Sequence, residues 1–205
     1  MRKPFFISDY VSIRKNSLSL NGETIFSDAQ ETSFKDFSKN LYKHIEMNYP
    51  KFYKMDNLSK LALLATETLF KNKNFIPEQE EIALLLSNKS SSLDTDLKHQ
   101  ESIADENHFF PSPAVFVYTL ANICLGEISI KYKLQTENAF FVFESFQPDF
   151  MTVYAEQLLQ TGKAKKVLCG WVEYTEDSYE AFIYLVDEQG VLENRSETLK
   201  KLYLE

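Results

Sequence analysis

Glycine, proline, cysteine and positive charge are all scarce in this chain, and each shortage excludes a class of protein. Five Gly and six Pro in 205 residues leave no room for Gly/Ser linkers, collagen-like repeats or a string of small modules. A single domain over residues 1–205 is expected. Cys124 and Cys169 lie in apolar stretches without CxxC spacing, which reads as two core thiols in a reducing cytoplasm rather than a disulfide or a nucleophile. With 22 Lys+Arg against 30 Asp+Glu and a net charge of -8, the chain is not built to neutralise nucleic-acid phosphates. No apolar run reaches the ~18 residues a membrane-spanning helix needs, and Asp9 interrupts the N-terminus before a signal-peptide core can form. Gly-x-Gly-x-x-Gly, Walker A and His-Glu-x-x-His patterns are missing as well, so no dinucleotide, P-loop or zinc-protease cofactor is expected.

What is present is an alternation of strand and helix patterns. Phe5 to Ile13 reads as a strand, and Ser17 to Phe26 as two short runs about an Asn21-Gly22 turn. Apolar spacing predicts a helix from Phe34 to about Met47 and a stronger one opening at Asn57, with Asn57 as N-cap and Leu58, Leu61, Ala62, Ala65 and Leu69 on its inner face. Glu81 to Ser87 reads as a strand buried on both faces. Polar Asn88 to Asp96 is a loop at that strand's carboxyl end, followed by weak helix around His99. Ala114 to Leu125, apolar on almost every side, reads as a helix buried in the core. Then come a buried strand at Ala139 to Phe143, an amphipathic helix from Pro148 to Gln160 closed by Gly162, and a hairpin of Lys166 to Tyr174 with Glu180 to Val186. From Asp187 the tail reads as surface. Two-sided apolar strands between helices imply a three-layer α/β/α architecture.

Several clusters carry potential chemistry. Asp94, Asp96, His99 and His108 could hold a metal but lack recognised ligand spacing. Ser90-Ser91-Ser92 reads as a turn rather than a phosphate cradle, since no glycine accompanies it. His44, His99 and His108 read as surface or loop histidines.

Between Met55 and Val186 the motif order resembles the N-terminal half of a β-ketoacyl-[acyl-carrier-protein] synthase, a condensing enzyme of thiolase-like fold. The residues that carry it are Met55-Asp56-Asn57-Leu58-Ser59-Lys60-Leu61-Ala62, Asn88 to Asp96, Phe110-Pro111-Ser112-Pro113, Asn122, Gly126-Glu127-Ile128-Ser129-Ile130, Asn138, and Gly162 to Glu173. The resemblance implies a thiolase-like half-domain with a mixed sheet. It also implies a strand-to-helix elbow where the family places a nucleophilic cysteine, activated by the helix dipole. Counting seven residues on from Asn138 and seventeen back from Gly162 both reach Ser145, so this sequence holds serine at that position. A serine hydroxyl needs an adjacent base, and the neighbours Glu144, Phe146, Gln147 and Pro148 offer none; Pro148 also lacks an N–H for an oxyanion. Ser145 with Asp149 and His108 would make a hydrolase triad only without a Gly-x-Ser-x-Gly elbow. The family's catalytic histidines come from a second half for which this sequence has no counterpart.

The resemblance therefore implies a non-catalytic accessory or interaction subunit in fatty-acid or polyene/polyketide biosynthesis. The alternative is an acyl-carrier-protein-dependent acyltransferase or condensing activity that uses Ser145 or a partner's residues. Three routes would hide the apolar face that a second half covers in the family: a homodimer, a heterodimer with a full-length ketosynthase, or capping by the chain's own termini. Seventeen Phe and eleven Tyr suit a large contact surface. Lys163, Lys165 and Lys166 are the compact basic patch available for an acidic acyl carrier protein.

Overall fold

The strand Ile82–Asn88 is buried at every position, so it must lie inside a sheet covered on both faces. In the computed structural model, which describes residues 4–29, 32–73, 75–105, 109–176 and 178–205, that sheet contains β1 (Phe6–Arg14), β2 (Ser17–Leu20), β3 (Glu23–Ser27), β4 (Ile82–Asn88), β5 (Asn138–Val142), β6 (Lys166–Tyr174) and β7 (Tyr179–Asp187) in the order β3-β2-β1-β7-β6-β4-β5. A two-residue strand, β8 (Leu192–Glu193), adds to β1. β4 pairs in parallel with β5 and with β6, whereas β6–β7, β7–β1, β1–β2 and β2–β3 are antiparallel. The carboxyl ends of the three parallel strands thus open at one end of the sheet.

Strand alternation sorts the side chains into two cores. Leu84, Leu86, Leu168, Ile183 and Leu185 face a layer made of α1 (Phe34–His44), α2 (Asn57–Lys71) and α5 (Ile123–Tyr132). Ala83, Leu85, Val167, Cys169, Phe182 and Tyr184 face α6 (Pro148–Gln160) and α7 (Ser196–Leu204). The three-layer α/β/α expectation holds. Gly170 is required where the strands meet: an added Cβ would lie 2.5 Å from the Phe182 carbonyl oxygen and 2.9 Å from Ile183 Cγ1.

Several local expectations are corrected. The cap of α2 is Asp56, which accepts from the Ser59 N–H at 3.0 Å, and not Asn57. The Ala139–Phe143 strand is an edge strand, packed by helices on its faces but open along one side, with Asn138 and Val142 exposed. The single buried helix expected over Ala114–Leu125 is two helices. α4 (Pro113–Val117) buries none of its residues, and the Thr119 hydroxyl donates to the Phe116 carbonyl at 2.7 Å as the chain turns toward α5. Such side-chain to backbone bonds compete with the helical ladder. The tail is not simply surface either: α7 buries Leu199 and Leu202.

Asp56 also receives a hydrogen bond from Thr95 on α3 (Leu93–Ile103). Burial raises its carboxyl above the usual range, while the bonds from Ser59 and Thr95 oppose the rise. An acid with a higher pKa folded than unfolded loses native-state stability as pH rises from its unfolded value, about 4, through its folded one. Asp56→Asn keeps a capping side chain without the charge. In thermal melts it is expected to equal or exceed the parent at pH 7 and to flatten the decline above about pH 4, whereas Asp56→Ala should lose ~1 kcal/mol. Gly170→Ala should cost ~1–3 kcal/mol by forcing β6 and β7 apart, read as a lowered melting temperature.

Candidate functional site

At the carboxyl end of the parallel strands lies an open cleft of about 650 Å³, bordered by Lys89, Ser145, Phe146, Trp171, Glu173 and Tyr203 among others. Open α/β sheets bind ligands at this end. The connection from β5 to α6 delivers Ser145 to it. The Phe143 N–H donates to the Asn88 carbonyl at 2.9 Å, holding the exit of β5 against β4. Phe146 then turns inward among Trp171, Phe182 and Tyr203. Its neighbour Ser145 is left exposed.

The elbow's chemistry is weak. The Ser145 hydroxyl accepts from Gln147 Nε2 at 3.3 Å, and the same amide reaches the Ser145 carbonyl at 3.2 Å. Gln147 is the N-cap of α6 and Pro148 its first residue, so Ser145 lies outside the first helical turn, where the dipole acts. Two carboxylates of the cleft take hydrogen bonds, although Glu173 Oε1 is buried without a partner among the described residues. Glu173 accepts from the Lys89 and Ser90 backbone N–H groups at 2.7 and 3.1 Å, pinning a loop in which Ser91 has φ +52°. Glu180 accepts from Arg14 Nε at 3.1 Å, Trp171 Nε1 at 2.9 Å and the Tyr203 hydroxyl at 2.6 Å. Burial and the Glu180 bond push the Tyr203 phenol up. Glu144 is 94% exposed and lies 3.6 Å from Lys89.

The other expected site residues do not gather here. His44 packs against Phe26, and His99 against Phe116 on α4; His108 lies outside the described residues. Asp149 pairs with Lys200 of α7 at 3.3 Å, and hydrogen bonds from Ser196 and Lys200 lower its carboxyl pKa. Asp94 is taken by Lys98 at 2.6 Å and Asp96 by Ser92, and no group of acidic, His or Cys side chains among the described residues could hold a metal. The Ser90–Ser92 segment is a turn, as expected, with Asn88 bracing it. Cys124 and Cys169 are free and fully buried, and burial drives both thiols up, away from a reactive thiolate.

Lys163, Lys165 and Lys166 do cluster, but near the start of β6, at the opposite end of the sheet from Ser145. They face Glu137 at 3.5 Å, Glu81 at 2.9 Å, and Glu80 and Asp187 at 2.8 and 3.4 Å, respectively. The trio therefore makes no positive excess. The residue set that sequence reasoning missed is Arg14, Glu180 and Tyr203, which joins the first strand, the last strand of the hairpin and the C-terminal helix. The spacing of Leu199, Leu202 and Tyr203, at 3.6-residue periodicity, was the available signal.

No protein-family model matches the sequence, and no curated protein matches it. Solved structures do match by fold. The ishigamide ketosynthase/chain length factor aligns with a TM-score of 0.68 at 15% identity, over 90% of this chain and 62% of that one. A ketosynthase in complex with its chain length factor from Xenorhabdus doucetiae aligns at 0.60 and 13%, over 98% of this chain and 90% of the matched one. A type II PKS acyl-carrier protein in complex with its ketosynthase bound to the hexaketide aligns at 0.65 and 13%, over 98% and 65%. This chain therefore spans under two thirds of two of those chains and nearly the whole of the third.

Removing the Glu173 carboxylate should free the Lys89 and Ser90 amides. Glu173→Ala is expected to speed hydrogen exchange at those two positions at least tenfold while leaving the β4 amides protected; unchanged exchange would mean that the loop is held by other contacts. Over most of its length the chain has the thiolase-like fold of ketosynthases and chain length factors.

Proposed function

We propose that this chain is a non-catalytic ketosynthase-like protein, one domain over residues 1–205, acting in the cytoplasm as an accessory subunit of fatty-acid or polyene/polyketide assembly. The reading rests on the elbow. The exposed Ser145 hydroxyl has an amide as its partner, Glu173 holds two backbone amides through Oε2, and Glu180 is spent on Arg14, Trp171 and Tyr203. A hydroxyl with no base beside it stays protonated near neutral pH and is a poor nucleophile. Its proposed partner is a full-length ketosynthase, which would supply the condensing site. The comparison structures support this by analogy, since one is a ketosynthase in complex with its chain length factor and another an acyl-carrier protein in complex with its ketosynthase. The open edge of β5 and the many aromatic side chains are compatible with such pairing.

Two measurements test the proposal. Intact mass after incubation with an acyl-loaded carrier protein should stay unchanged for the chain alone. An acyl adduct lost in Ser145→Ala would instead establish the acyltransferase alternative. Co-expression with each full-length ketosynthase of the source organism, followed by size exclusion, should yield a stable heterocomplex with one of them. A lone species in every case would refute the accessory role.

A further inference from the structure

The chain's last helix covers the sheet on a small footing. α7 is nine residues long and its N-cap, Arg195, makes no side-chain capping bond; an isolated helix of under about 12 residues does not persist in water. Its apolar hold is Leu199 and Leu202, both buried, while Leu204 at its end is 81% exposed. The polar pins are Arg14 Nη2 to the Tyr203 carbonyl at 2.5 Å, the Tyr203 hydroxyl to Glu180, Lys200 to Asp149, and the Tyr10 hydroxyl to Glu205 at 3.1 Å. The last two lie at the surface, where such contacts contribute little.

Docking α7 also buries polar groups that it does not satisfy. Asn194, the residue before its N-cap, is 2% exposed, and among the described residues neither atom of its amide has a hydrogen-bond partner. α6 and α7 run antiparallel, with Tyr203 against Phe146 just before α6 and Lys200 against Asp149. Thr152, one turn further along α6, therefore comes level with the start of α7. Its hydroxyl is likewise buried without a partner among the described residues. A buried donor or acceptor left unpaired costs the docked state its full desolvation, and that cost is recovered when water reaches the group.

The chain has a hinge between the sheet and this helix. β8 pairs with β1, and the Asn194 N–H donates to the Phe5 carbonyl at 2.8 Å, so the backbone is anchored up to Asn194. Arg195 is extended, at φ -127° and ψ 150°, and rotation about its ψ bond carries α7 alone. Beneath the helix lie Phe146 and Phe182, whose ring centroids are 4.9 and 5.7 Å from that of Tyr203. Tyr203 itself borders the cleft at Ser145.

We propose that α7 is a lid on that cleft: it undocks as one unit about Arg195 while the sheet stays folded, uncovering Phe146 and Phe182 and widening the cleft beside Ser145. The docked state gains two leucines, one tyrosine ring and a few polar pins, offset by the unpaired groups of Asn194 and Thr152. The opening is therefore sub-global, separate from unfolding of the sheet. Lids of this kind set access to a site through their own equilibrium. The inference stands on α7 and its hinge and does not depend on the accessory-subunit reading.

Hydrogen exchange of the full chain, read residue by residue, tests the lid. The amides of Leu199 through Leu204 should exchange together, at least 100-fold faster than those of β4 and β7. Protection equal to that of β4, or fast exchange confined to the last turn as in simple fraying, would overturn the proposal. Asn194→Leu removes the unpaired amide at similar volume and should slow α7 exchange at least tenfold; unchanged or faster exchange would mean that the docked state satisfies the amide, and the drive for opening would be refuted. Leu202→Ala should speed α7 exchange at least tenfold with β4 as protected as in the parent. It should also raise acrylamide quenching of Trp171, the chain's one tryptophan, which shares Glu180 with Tyr203. Loss of β4 protection in step with α7 would make the helix part of the global fold and sink the lid.

Discussion

Everything in this molecule follows from a sheet whose central strands are apolar on both faces. β4 and β6 cannot be left half solvated, because each would expose a row of Leu, Val or Cys side chains to water at roughly 25 cal/mol per Å². One helical layer is not enough. The α1/α2/α5 layer covers one side in the manner of any α/β protein, and α6 with α7 covers the other. That second layer decides what the chain can do, because it occupies the side from which the elbow emerges.

The elbow and the closing helix are parts of one structure. Phe146 turns inward to meet Tyr203, and in doing so leaves Ser145 outside. Tyr203 and Trp171 reach Glu180, and Arg14 completes the set. Here Glu180 and Glu173 serve as fasteners for a helix and a loop. Charges that could have drawn a ligand are likewise consumed at the far end of the sheet, where four carboxylates meet three lysines.

Much of this was legible in the sequence wherever periodicity and punctuation agree. Lys166–Tyr174 and Pro148–Gln160 have the expected bounds, because unbroken β-pattern and a Pro start with a Gly162 close leave little choice. Burial assignments fared worse. Ala114–Leu125 looked like core because hydrophobicity alone does not tell an exposed apolar segment from an interior one. The strand at Ala139–Phe143 looked central because its faces are covered, and sequence does not say whether its edge is paired. α7 escaped notice because its short apolar stripe is flanked by Glu, Lys and Arg. For the site, Ser145 lies in the turn between β5 and α6, but the hydrogen bonds that reach Glu173 and Glu180 come from residues distant in sequence and have no local signature.

The placement of β1 has a kinetic consequence. It pairs with β7, whose first residue, Tyr179, comes 173 positions after Phe6, and it carries the Arg14 that α7 needs. The first strand made can find its principal neighbour only after β7 has been synthesised, and a long-range pairing of this kind slows folding. Until then its inward side chains Ile7, Val11 and Ile13 have no sheet to enter. The β2–β3 hairpin beside it offers a local pairing partner that can occupy one edge during the wait.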